Sequence, residues 1–125
     1  GDDLSLICLG PKLKQAHEAS VILFDDYNIS VDLIYINSFK PFDSKLILDS
    51  VKKTKNFISI EELSHHGGLY SRCLEALAGT SFNLSKQLAV DDFIKGYGSY
   101  EELTDKANLS TSDIIKASLD ILDKK

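Results

Sequence analysis

Methionine is absent from this chain, and cysteine and proline occur only twice each. The missing methionine extends to the first position, where Gly-Asp-Asp stands directly before an apolar run. A single domain spanning residues 1–125 and cut from a longer protein is the expectation. Cys8 and Cys73 fall in an apolar strand pattern and an apolar helix pattern. They show no paired spacing with each other or with histidine, which argues against a disulfide framework or a metal knuckle and predicts two buried free thiols. Basic side chains are the scarcer sign, fourteen against nineteen acidic, for a net charge of −5. The lysines are scattered and form no stripe, so neither nucleic acid nor an anionic membrane is expected as a partner. No apolar run approaches the ~20 residues of a membrane span, and no basic stretch with an apolar core opens the chain. A cytoplasmic location follows as an expectation.

What the chain does have is an ordinary globular balance, 43% apolar and 26% charged, enough for one core. Leu4 to Leu9 is a continuous apolar run ending at Gly10-Pro11, too short for a buried helix, and reads as a central strand. Beyond Pro11 the spacing becomes helical: Leu13, Ala16, Ser20, Leu23, Phe24 and Tyr27 mark an amphipathic helix closing near Asn28. Val31 to Ile36 is the second strand. Asp43 is placed to cap a helix carrying Leu46, Ile47 and Val51. Phe57 to Ile60 is the third strand, Leu69, Cys73, Leu74 and Leu77 a third helix ending at Gly79, and Lys86 to Val90 a shorter fourth strand. Ser99 precedes Glu102 by three and Ser110 precedes Asp113 by three, the spacing of two capped helices. The last of these is expected to bury Ile114, Ile115, Ser118, Leu119 and Leu122.

Short apolar strands alternating with longer helices require parallel pairing with right-handed crossovers. The fold class is α/β, a three-layer α/β/α domain with a mainly parallel sheet of four to five strands. With the order second, first, third, fourth, the chain reverses between the first and third strands, where ligands of such sheets bind. The loops there contain Gly10 and the run His65, His66, Gly67, Gly68, a candidate anion-binding loop at a helix N-terminus. A tight packing turn explains the same glycines, because no full dinucleotide-binding or Walker pattern is present. The adjacent His65 and His66 point in different directions on any regular element, so no metal site is expected. Glu61 and Glu62 end the third strand. Paired carboxylates can act as acid and base, yet one of them more often caps a turn or meets a lysine.

Five motifs occur in an order and spacing that resemble the transketolase C-terminal domain family: Ser5 to Gly10, Lys40-Pro41-Phe42-Asp43, Ile60-Glu61-Glu62, Gly67-Gly68-Leu69-Tyr70-Ser71, and Asp91-Asp92-Phe93 with Gly98. Tyr70 stands where the family's pattern has a glycine. The ending, from Asp92-Phe93-Ile94 to Leu109, resembles transketolase and 1-deoxyxylulose-5-phosphate synthase more than a dehydrogenase beta subunit. The resemblance implies an accessory C-terminal domain of a thiamine-diphosphate-dependent transferase, with roles in packing, subunit association and effector binding. It implies partners in the other domains of that parent, in a homodimer or paired subunits. Thiamine diphosphate and Mg belong to the full-length enzyme. No catalytic, cofactor-binding or metal-binding residue is transferred to this chain, so the isolated domain is expected to be inactive. Two competing readings are a freestanding anion- or nucleotide-binding module built on the Gly10 and Gly67 loops, and a small cysteine hydrolase.

Overall fold

Six-residue apolar runs make the strands, and apolar spacing of three and four makes the helices that return the chain between them. The structure is a computed structural model that describes residues 1–9, 13–36, 43–61, 68–89 and 111–122. In chain order the elements are β1 (Leu4–Leu9), α1 (Leu13–Tyr27), β2 (Val31–Ile36), α2 (Ser44–Thr54), β3 (Asn56–Glu61), α3 (Leu69–Ala76), β4 (Leu84–Ala89) and α4 (Thr111–Ile121). The described strands form one sheet in the order β2-β1-β3-β4. Every pair is parallel, with Leu4 opposite Val31, Ser5 opposite Phe57 and Asn56 opposite Leu84. This is the expected order, with its reversal between β1 and β3.

Alternation along the strands divides the core into two layers. Leu6, Cys8, Ile58, Ile60 and Leu88 face Ala16 and Ala19 of α1 and Ile114, Ala117 and Ile121 of α4. Ile7, Ile34, Ile36 and Phe57 face Ile47 and Val51 of α2 and Leu69 and Cys73 of α3. Helices therefore cover both faces of the sheet. Phe57 anchors the second layer, with its ring 5.9 Å from Tyr70 and 5.4 Å from Phe82. Both cysteines are free and buried, as their sequence surroundings predict. No described helix is long and apolar enough to cross a membrane.

Helix ends follow local chemistry. Asp43 accepts the Leu46 N–H at 3.1 Å and caps α2, while Lys40, Pro41 and Phe42 lie outside the described residues. Helix α1 closes on Asn28 at φ 56°, whose N–H reaches the Phe24 carbonyl at 3.2 Å. Helix α2 closes on Lys55 at φ 67°, whose N–H reaches the Val51 carbonyl at 2.8 Å. Both are left-handed caps without glycine.

Two helices bury less than their sequence stripes contain. In α1, Ala16, Ala19 and Leu23 are buried, whereas Leu13, Phe24 and Tyr27 are 37%, 60% and 37% exposed. The alanines bring the helix close to the sheet, and α4 flanks it on one side only. In α4 the buried line is Ile114, Ala117, Ser118 and Ile121, with Ile115 and Leu122 half-buried beside it. The face is the expected one, rotated slightly toward the small residues. The cap positions Ser99, Glu102 and Ser110 lie outside the described residues.

One polar cluster interrupts the α2 layer. Ser5 Oγ lies 2.6 Å from Ser50 Oγ and 2.7 Å from Thr54 Oγ1, and Ser50 donates to Asp32 at 2.6 Å. Thr54 also approaches the Asn56 carbonyl at 3.1 Å. A hydroxyl has one proton to give. The three shortest contacts are satisfied together only when donation runs from Thr54 to Ser5 to Ser50 to Asp32, which joins α2 to β1 and β2.

Candidate functional site

At the reversal point the C-terminal ends of β1 and β3 lie side by side, Leu9 on one and Glu61 on the other, and α3 begins at Leu69. Of the expected anion loop, Gly68 is described, whereas Gly10, His65, His66 and Gly67 lie outside the described residues, as does Glu62.

Strand β3 presents Phe57, Ser59 and Glu61 to the α3 face, so its last side chain reaches beneath the first turn of the helix. Glu61 is completely buried. Its Oε2 accepts the Leu69 N–H at 2.8 Å, and Gln87 Nε2 stands 3.5 Å from Oε1. Gly68, at the N-cap, has no side chain to do this. A carboxylate supplied by the neighbouring strand thus meets the positive end of the helix dipole. Gly68 has φ −86°, open to any residue, so backbone conformation does not require glycine there. Space does: a Cβ would stand 2.7 Å from Glu61 Cδ.

One turn into α3, burial and then the nearby Glu61 charge push the Cys73 thiol up to about 12. A nucleophilic cysteine needs the opposite shift, which opposes the hydrolase reading. Tyr70, in the place of the family's glycine, turns outward onto β4 and bonds Ser85 Oγ through its hydroxyl at 2.6 Å. A separate groove of about 220 Å³ lies between β4 and α4. Charges oppose one another across it, with Lys86 Nζ 3.9 Å from Asp120.

The family model for "Transketolase, C-terminal domain" matches residues 1–114. The chain belongs to this family. Among curated relatives of this transketolase C-terminal domain is the 1-deoxy-D-xylulose-5-phosphate synthase of Geobacillus sp. (strain WCH70), 29% identical over 100% of this chain and 20% of that protein. Another is the 6-deoxy-6-sulfo-D-fructose transketolase subunit SqwH of Clostridium sp. (strain MSTE9), 26% identical over 100% of this chain and 38% of that subunit. A solved structure described as a split gene transketolase, inactive beta4 tetramer, superposes with a TM-score of 0.87 at 28% identity, covering 100% of this chain and 41% of that one. The transketolase C-terminal domain described here therefore spans between a fifth and two fifths of those proteins.

Among the described residues no three His, Cys, Asp or Glu side chains come together as a metal-binding group. The α3 N-terminus that could receive a diphosphate holds Glu61 instead. The described residues therefore do not fit thiamine diphosphate with Mg. Sequence reading missed the Ser5, Ser50 and Thr54 cluster, although Ser50 and Thr54 four apart on a helix, and a serine within an apolar strand, are its signal.

Proposed function

We propose that this domain is the non-catalytic C-terminal part of a cytoplasmic, thiamine-diphosphate-dependent transferase of the transketolase type. The parent moves two-carbon or acyl units between sugar phosphates or keto acids, with thiamine diphosphate and Mg held by its other domains. The domain packs against those domains and takes part in subunit association, in a homodimer or paired subunits. Glu61 carries this reading. The buried carboxylate at the ligand edge of the sheet binds its own helix N-terminus, a structural role that occupies the best-placed acid of the described residues. The family match over residues 1–114 and the short share of each relative's length support it as well.

An effector role is proposed for the loops containing Gly10 and His65, His66, Gly67 and Gly68. Such anion binding is weak, because Glu61 already takes the Leu69 amide and the chain carries −5. The test is calorimetry of the 125-residue chain with thiamine diphosphate and Mg. No heat of binding is expected; micromolar, magnesium-dependent binding would overturn the proposal.

A further inference from the structure

The hydroxyl chain beneath α2 holds fewer protons than contacts. It runs from Asp32 to Ser50 at 2.6 Å, from Ser50 to Ser5 at 2.6 Å, from Ser5 to Thr54 at 2.7 Å and from Thr54 to the Asn56 carbonyl at 3.1 Å. Three hydroxyls supply one proton each, while an ionised Asp32 and a carbonyl supply none. With Asp32 charged, one of the four contacts has no hydrogen. Oxygens 2.6–2.7 Å apart need one between them. The contact left out is therefore the longest, from Thr54 to Asn56. A proton on Asp32 is the missing fourth. Donation can then run the other way, from Asp32 to Ser50 to Ser5 to Thr54 to Asn56, with every contact filled.

We propose that this chain is a proton-sensitive relay: it reverses its direction of donation when Asp32 changes charge, and so signals from β2, across β1, to the first residue of β3. Ser5 on the central β1 stands opposite Asp32 on one side and Phe57 on the other, which lets one side chain serve both neighbours. Either hydroxyl of each serine and threonine contact can donate, so reversal takes rotation of O–H bonds and no movement of heavier atoms. Ser5, Ser50 and Thr54 are 0%, 4% and 5% exposed, which keeps water from supplying a competing donor. The Asp32 side chain is 30% exposed and can trade its proton with solvent. Lys53 Nζ stands 3.5 Å from the Asp32 oxygen that Ser50 binds. The neighbouring carboxylates are engaged elsewhere, Asp49 with Lys45 at 2.8 Å and Asp3 with the Ser30 N–H at 2.8 Å, and the N-terminal Gly1 lies against the Val31 backbone. The relay goes beyond the proposed transferase role and does not depend on the cofactor.

Carbon-detected NMR of the chain tests this, following the Asn56 carbonyl and the Asp32 carboxyl carbon together from about pH 7 to about pH 3, through the ordinary carboxylate range. The Asn56 resonance is expected to move downfield with the midpoint of Asp32, as its carbonyl gains the Thr54 proton. An Asp3→Asn background removes the other nearby carboxylate that titrates in this range. Ser50→Ala and Ser5→Ala each free Thr54 to donate to Asn56 at any pH. Both variants should therefore show the acid position of the Asn56 resonance already at neutral pH, and no step at the Asp32 midpoint. If acid unfolds the chain first, as circular dichroism would show, the neutral-pH comparison decides alone. An Asn56 carbonyl that stays put while Asp32 titrates overturns the proposal, because the proton has then settled outside the chain. A step that persists in Ser50→Ala, or identical Asn56 resonances in the wild type and Ser50→Ala at neutral pH, overturns it as well.

Discussion

Replacing Gly68 by alanine probes the closure of α3 by Glu61. The new Cβ falls 2.7 Å from Glu61 Cδ, inside the ~3.5–4.0 Å of a comfortable carbon contact, so the carboxylate must swing away. It then loses the 2.8 Å bond from the Leu69 N–H. A hydrogen bond to a charged acceptor contributes about 1.5–3 kcal/mol, and the orphaned donor is buried. Alanine at a cap costs roughly 0.5 kcal/mol relative to glycine. Its lower unfolded-state entropy returns about 0.4–1 kcal/mol, so these two effects nearly cancel. The net loss is about 2 kcal/mol, a fall of roughly 1 M in the urea midpoint followed by circular dichroism. In a Glu61→Ala background there is no carboxylate to displace, and Gly68→Ala should change stability by under about 0.5 kcal/mol, a coupling near 2 kcal/mol. Equal costs in the two backgrounds, or an unmoved midpoint in the first, would refute the reasoning.

Two further outcomes follow from buried groups. The folded state holds the Cys73 proton more tightly than the unfolded chain, with the thiol raised from 9.0 to about 12. Its contribution is therefore complete below pH 9 and is lost as pH rises toward 12, at no more than about 1.4 kcal/mol per unit. Urea midpoints across this window should slope downward in the wild type and less steeply in Cys73→Ala; equal slopes would exclude the thiol as the source. Ser5→Ala removes the centre of the hydroxyl chain, leaving Thr54 to donate to the Asn56 carbonyl and Ser50 to Asp32, at a cost of about 1 kcal/mol. Denaturation without a shift in midpoint would show that the cluster contributes nothing.

The strands were the most legible part of the fold. Leu4–Leu9 and Val31–Ile36 appear with the bounds their apolar runs predict; the central Leu4–Leu9, buried on both faces, needs no periodicity to declare itself. Asp43 was equally legible as a cap, since that interaction reaches only three residues along the chain. Helix faces were harder to read. Apolar spacing says that α1 is amphipathic, but not that Ala16 and Ala19 would draw it close and leave Phe24 outside. At the sheet edge, a motif of two glutamates and two glycines marks the place, while the bond from Leu69 to Glu61 depends on how β3 delivers its last side chain under α3. Longer-range still, Ser5 lies 45 and 49 residues from its hydroxyl partners, a distance no local pattern spans.

The hydroxyl chain from Thr54 to Asp32 also fixes where α2 can lie. An oily helix face can slide on an oily sheet with little penalty, but a shift of one turn, about 5.4 Å, would bring Ser50 to the place of Thr54 or Thr54 to that of Ser50 and leave Ser5 one hydroxyl partner instead of two. The native register of α2 is thereby favoured over its one-turn neighbours by at least one hydrogen bond. Helix α2 and the first residues of β1 and β2 are therefore expected to open as one cooperative unit, which a shared rate of amide exchange with solvent would reveal.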